Sequence, residues 1–137
     1  MSDLTCRACL VGCIDFRIHE SLDRFRMNQE LDKEGADFIR VAGVSLNLAR
    51  PKDPAARDFL IGQLKASHRL HQIKEIYLVN HEDCGAYGFE DVADSAVELA
   101  THIEDLRAAK ALLGRELPDT KVFTYFLRLD GRAEPVG

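Results

Sequence analysis

The chain has 137 residues, enough for one domain at roughly 100–200 residues per domain and for a core that needs no disulfide staples. Its 18 Lys and Arg stand against 23 Asp and Glu, a net charge of -5, so there is no basic stripe to neutralise a nucleic-acid backbone. No apolar run approaches the roughly 20 residues of a membrane-spanning helix, and Met1 to Arg7 lacks the basic start and apolar core of a signal peptide.

A soluble, cytoplasmic protein is therefore expected. In that reducing setting Cys6, Cys9, Cys13 and Cys84 are expected to be buried, catalytic or metal-bound rather than disulfide-linked.

The first apolar stretch, Ala8 to Ile14, is short and nearly continuous, as a strand covered on both faces reads. After Asp15-Phe16-Arg17, residues Ile18, Leu22 and Phe25 share a helical face, a register lost by Met27 and Leu31. Gly35 closes that segment, and Ala36 to Ala42 reads as a second strand. Asp53-Pro54 is a helix start, an N-cap followed by proline in the first turn. Ala56, Phe59, Leu60, Leu64, Ser67 and Leu70 keep one face as far as His71. Ile73 to Asn80 is the third strand.

After Gly85 to Gly88 comes the longest helix. Val92, Ala96, Leu99, Ile103, Leu106 and Leu113 recur at steps of three and four, and Gly114 and Pro118 are expected to stop it. Lys121 to Leu129 is the fourth strand, and Asp130-Gly131 suggests a tight hairpin into an antiparallel strand, Ala133 to Val136.

This alternation predicts a single α/β domain over residues 1–137 with a four-stranded, mainly parallel sheet of order 2-1-3-4 flanked by helices. In open sheets of this kind ligands bind beyond the carboxyl ends of the strands, where strand order reverses. Here that point lies between strands one and three, just after Ile14 and Asn80.

Those two places hold Cys13-Ile14-Asp15-Phe16-Arg17 and His81-Glu82-Asp83-Cys84-Gly85. Two thiolates and one imidazole suit a catalytic zinc of the Cys2His type, whose fourth position is left for water. His81 and Cys84, three apart across a turn, can face one metal that Cys13 approaches from the neighbouring strand. The plainer alternative is a buried core cysteine beside a hydrogen-bonded loop histidine. Asp15 and Arg17, two apart in an extended segment, lie on the same side, so carboxylate and guanidinium can meet near the metal. An arginine-held aspartate stays ionised and accepts a hydrogen bond from a nucleophile. Alternatively the two form a structural ion pair at a helix start.

These motifs resemble those of the β-class carbonic anhydrases, with Cys-x-Asp-x-Arg after the first strand and His-x-x-Cys, followed by Gly, after the third. Arg40-Val41-Ala42-Gly43 is similar to the family's Arg-Asn-Ala-Gly, and the likeness extends through the segment from Phe123 to Glu134. The resemblance implies a zinc enzyme that hydrates CO2 to bicarbonate, with Cys13, His81 and Cys84 as ligands, Asp15 and Arg17 as catalytic dyad, and a homodimer. The chain departs from the family in three places. Only twelve residues precede Cys13 and none is the glutamine of the usual N-terminal arm; Val41 replaces Asn; and Phe16 is bulky where Ser or Ala is common.

Two other functions remain open. One is hydrolysis of a related linear molecule, carbonyl sulfide or carbon disulfide. The other is a non-catalytic zinc-stabilised module, although a purely structural zinc needs only its ligands and not the dyad.

Weaker signals read mostly as structure. Cys6-Arg7-Ala8-Cys9 has C-x-x-C spacing, but Cys9 falls inside an apolar strand. His19 and Tyr87 follow the two motifs and are candidate proton relays. His68, His71 and His102 are expected to be solvated, and the acidic residues Glu82, Asp83, Glu90, Asp91 and Asp94 to serve helix-start electrostatics. The glycines form no phosphate-binding pattern.

Overall fold

A computed structural model describes residues 4–89 and 94–137. The elements are β1 (Ala8–Gly12), a short 3-10 turn (Phe16–Ile18), α1 (His19–Asn28), α2 (Leu31–Glu34), β2 (Ala36–Arg40), α3 (Leu46–Ala49), α4 (Pro54–His71), β3 (Glu75–His81), a second 3-10 turn (Gly85–Tyr87), α5 (Ser95–Glu116), β4 (Lys121–Leu127) and β5 (Ala133–Val136). The sheet order is β2-β1-β3-β4-β5. The first four strands pair in parallel and β5 runs antiparallel to β4. Among the described residues no helix is long and apolar enough to cross a membrane.

The sheet thus has five strands, not the four expected from the sequence. The hairpin does form: the Asp130 carboxylate accepts from the Arg132 amide at 3.0 Å, and Gly131 adopts φ 97°. Its second arm joins the sheet fully, with Thr124 opposite Val136 and Tyr125 opposite Pro135. Such a short strand containing proline reads weakly in sequence, yet an edge position tolerates proline because one side of the strand needs no partner.

Every residue of β1 is buried, although alternate side chains leave opposite faces, so both sides of the sheet centre are covered. Leu10, Ile76, Leu78, Leu22, Leu60, Leu64 and Leu106 are fully buried members of the core. At Gly12 a Cβ would come within 2.7 Å of the Leu22 side chain, so a glycine lets α1 lie close against the end of β1. Asp53 caps α4 through the Ala55 amide, with Pro54 in the first turn. Leu60, Leu64 and Ser67 of its expected face are buried, while Phe59 and Leu70 stand exposed.

The long helix differs most from expectation. Its apolar row begins at Val92, outside the described residues; Ala96 is exposed, and Leu99 and Ile103 are only half-buried. The buried face instead carries Glu98, His102 and Asp105 ahead of Leu106, Ala109 and Leu113. Each of these three polar residues has a partner or close neighbour inside the protein, and that turns the first half of the helix. Gly114 lies within the helix, which continues to Glu116.

Arg50, just after α3, holds the Asp105 carboxylate in a two-pronged pair at 2.9 and 2.8 Å, and that carboxylate is only 3% exposed. Removing one member of such a pair strands a buried charge. Arg50→Met is therefore expected to cost about 2 kcal/mol in urea unfolding, and adding Asp105→Leu should restore most of it.

Candidate metal centre

The carboxyl ends of β1 and β3 bring the two motifs together. Gly12 pairs with Val79, so Cys13 emerges beside the end of β3, whose last residue is His81. A turn with Asp83 in the left-handed conformation (φ 60°) then returns Cys84 toward both. One donor atom from each of Cys13, His81 and Cys84 lies within 4.8 Å of the others, and all three residues are buried.

The histidine is fixed in orientation. Its Nδ1 lies 2.7 Å from the Glu82 carbonyl, which assigns the proton to Nδ1 and leaves Nε2 as a lone-pair donor. Among the described residues that buried Nε2 has no hydrogen-bond partner. A buried polar atom without a partner is costly unless something else occupies its lone pair. A cation ligated by this nitrogen and the two sulfurs would satisfy it, so the donor set fits zinc.

The thiols are electrostatically prepared. Hydrogen bonding from Cys84 holds Cys13 well below the usual thiol range, against the opposing effect of burial, and the backbone amides of Gly43 and Asp15 add to it. Gly43 reaches this place in a conformation (φ 81°) that favours glycine. Cys84 is pushed up, because it shares its proton with Cys13 and because it is buried.

Asp15 and Arg17 meet as expected. Arg17 Nη2 donates to Asp15 Oδ2 at 2.7 Å and its Nε approaches both carboxylate oxygens. The Arg17 backbone amide also donates to Asp15 Oδ1 at 2.9 Å. Arg17 holds the Asp15 carboxyl down at about 2, and Oδ2 of Asp15 lies 3.8 Å from His81 Nε2. A cavity of about 380 Å³ opens here, lined by Cys13, Ile14, Asp15, Phe16, Arg17, Ala42, Gly85 and Ala86.

Two supports of the site carry no local signal in the sequence. Arg17 also donates to the Asp83 carboxylate and carbonyl, each at 2.9 Å, so it ties the first motif to the second. Arg40 donates from Nε to the Cys13 carbonyl at 2.6 Å and from Nη2 to the Asp15 carbonyl at 3.4 Å. Asp83 lay in plain view within the His-x-x-Cys spacing, but nothing local marks it as the partner of a residue 66 positions away.

Behind the site lies a buried polar cluster. The Asn80 amide nitrogen reaches Ser45 Oγ at 2.7 Å, His102 Nδ1 at 2.9 Å and the Tyr87 hydroxyl at 3.1 Å. Burial pushes the His102 pKa down to about 4, in keeping with a neutral ring that accepts from Asn80. His102 is thus fully buried, not solvated as its helical position suggested. The Tyr87 hydroxyl is committed to this cluster, and His19 sits outside on the surface, 2.9 Å from Arg40. Glu98 accepts from the Asp83 backbone amide. Glu82 accepts from the Leu129 amide, and Asp94 caps α5; Glu90 and Asp91 lie outside the described residues.

Comparisons with known proteins bear on the family and the fold. A family model described as "Putative carbonic anhydrase" matches residues 4–137. An uncharacterized protein of Rickettsia conorii is 29% identical over 131 residues, spanning 93% of this chain and 70% of that protein. An uncharacterized protein of Rickettsia bellii is 28% identical over 131 residues, spanning 93% of this chain and 79% of that protein. Among solved structures, a mutant form of the β-carbonic anhydrase CafD of Aspergillus fumigatus aligns with a TM-score of 0.53 at 11% identity, covering 96% of this chain and 89% of that one. The fold is shared.

Because Arg40 grips the carbonyls on either side of Ile14, Arg40→Met should loosen the segment that delivers Cys13 and Asp15. Zinc affinity, measured by competition with a chromophoric chelator, is expected to fall roughly 10–100-fold, the usual effect of losing an outer-shell support.

Proposed function

The chain belongs to the carbonic anhydrase family whose model spans it, and on that premise we propose that it catalyses the zinc-dependent, reversible hydration of CO2 to bicarbonate. In this reading residues 1–137 form one zinc-binding domain, Cys13, His81 and Cys84 are the metal ligands, and Asp15 and Arg17 are the catalytic dyad. The observation that carries it is the unpartnered, buried Nε2 of His81, set among two cysteine sulfurs with the Asp15 carboxylate 3.8 Å away.

Zinc held by Cys13, His81 and Cys84 would acidify a bound water enough for it to act as nucleophile near neutral pH. Cys13 enters as a thiolate, and backbone amides of Ala86 and Tyr87 face the Cys84 sulfur and offset its charge. Asp15, kept ionised by Arg17, accepts a hydrogen bond from the nucleophile and so turns a lone pair toward the substrate. Arg17 cannot swing away freely, because Asp83 holds its Nη1 and shares its Nη2 with Asp15. The cavity walls at Ile14, Phe16, Ala42 and Ala86 are apolar and suit a linear, uncharged molecule, while the Arg17 cation favours an anionic product.

A homodimer fits the same reading. Ile14 and Phe16 at the cavity mouth are 60% and 78% exposed, and the edge strand β2 offers unpaired backbone groups for a second copy to cover. A cytoplasmic setting suits four cysteines that are all free.

Stopped-flow CO2 hydration on protein of known zinc content tests the proposal. Turnover should follow zinc content and be lost with the metal in Cys13→Ser. Arg17→Ala should keep its zinc yet lose roughly 10–100-fold in kcat/KM. A fully loaded protein without turnover would overturn CO2 hydration and redirect the assay to carbonyl sulfide and carbon disulfide. Inactivity on those as well would leave a non-catalytic zinc module.

A further inference from the structure

At the opposite end of β1, Cys6, Asp37 and His71 converge, and one donor atom from each lies within 4.8 Å of the others. They come from three separate elements: the segment that enters β1, the second residue of β2 and the last residue of α4. None belongs to the centre described above. Cys6 and Cys13 lie seven positions apart along mostly extended chain, roughly 23 Å at about 3.3 Å per residue.

We propose that Cys6, Asp37 and His71 form a second metal site, one that takes a thiophilic divalent cation of the Zn2+ type. The donor set is one sulfur, one imidazole nitrogen and one carboxylate oxygen. That mixture suits a late first-row ion and is wrong for Mg2+ or Ca2+, which prefer oxygen throughout. A thiolate and a carboxylate together balance a dication. A surface cavity of about 300 Å³ adjoins the three residues, which leaves room for water in a fourth position.

The donors are already tied to one another. The Cys6 amide donates to the His71 carbonyl at 3.0 Å, and the Arg7 amide donates to the Gly35 carbonyl at 3.0 Å. The segment carrying Cys6 is thereby fastened to the end of α4 and to the start of β2. Ser67, one turn before His71 on α4, donates its hydroxyl to Asp37 Oδ2 at 2.6 Å. This outer contact orients the carboxylate in the way supports of metal ligands do. His71 Nδ1 lies 2.7 and 2.9 Å from the two Asp37 oxygens, so ring and carboxylate already face each other. On uptake the proton that His71 Nδ1 shares with Asp37 shifts to Nε2, which frees the Nδ1 lone pair for the cation. The Cys6 thiol gives up its proton to solvent, so that the sulfur becomes the third donor.

The site also gives the C-x-x-C spacing a meaning other than a redox pair. Cys9 is fully buried within β1, whereas Cys6 is only partly buried beside the cavity. Extended chain separates the two cysteines, and the one at the surface is joined instead by residues distant in sequence.

Titration of the full chain with Zn2+, read against a chromophoric chelator and checked by elemental analysis, tests the assignment. The expected capacity is about two ions per chain, falling to about one in either Cys6→Ser or His71→Gln. Both changes are at partly exposed positions, and circular dichroism of each variant establishes that it is folded. Co2+ in place of Zn2+ provides a second readout, since a thiolate-to-cobalt absorption band attributable to Cys6 should vanish in Cys6→Ser. Cys84→Ser addresses the other centre separately: it should leave about one ion, removed in turn by adding Cys6→Ser. A zinc capacity and cobalt spectrum unchanged in both Cys6→Ser and His71→Gln would overturn the second site, whatever Cys84→Ser does.

Discussion

Parallel pairing of β1 with β3 is the constraint from which the candidate centre follows. The two strands are separated by about half the chain, yet their register places Gly12 opposite Val79. Both strand ends therefore deliver donors at the same level of the sheet, Cys13 from one and His81 from the other. A shift of one residue in that register would turn one side chain to the far face. The buried sides of both strands hold the register fixed, since Leu10, Ile76 and Leu78 have no other way to leave water. Folding thus assembles the donors before any ligand arrives, and the motif Cys-x-Asp-x-Arg supplies the arginine that links the two loops through Asp83.

Around this centre the protein places polar groups where a small core would ordinarily be apolar. Asn80, Ser45, Tyr87 and His102 form one buried hydrogen-bonded cluster, and Arg50 with Asp105 forms a separate ion pair. Such groups are tolerated only when nearly every donor and acceptor is matched. The result is a rigid floor beneath the loop from His81 to Cys84, with Glu98 gripping the Asp83 amide from the same helix. That loop is thereby braced by α5 and, through Arg17, by the segment after β1.

The elements that could be read from sequence were those set by local rules. The continuous apolar run of β1, the Asp53-Pro54 cap of α4 and the loss of helical register after Phe25 each depend on neighbours in the chain. The strand-end position of Cys13 and the spacing of His81 and Cys84 belong to this class too, so the donor cluster was legible. What escaped was set by distant partners. Glu98, His102 and Asp105 recur at steps of four and three, a helical stripe as regular as the apolar one. Only their matches just after α3, on β3 and in the loop from His81 to Cys84 make it the buried side. The hairpin into β5 is marked locally by Asp130-Gly131, and only its place as a fifth strand of the sheet depends on β4 being there to pair with it. Nothing local marks Asp37, His71 and Cys6 as neighbours, because three elements far apart in sequence bring them together.

Diffraction from zinc-loaded crystals, with anomalous scattering recorded at the zinc absorption edge, tests the central assignment most directly. A strong peak is expected about 2.3 Å from the sulfurs of Cys13 and Cys84 and about 2.0–2.1 Å from Nε2 of His81, with Asp15 and Arg17 still paired beside it. No peak within that triangle, or a disulfide joining Cys13 to Cys84, would contradict it.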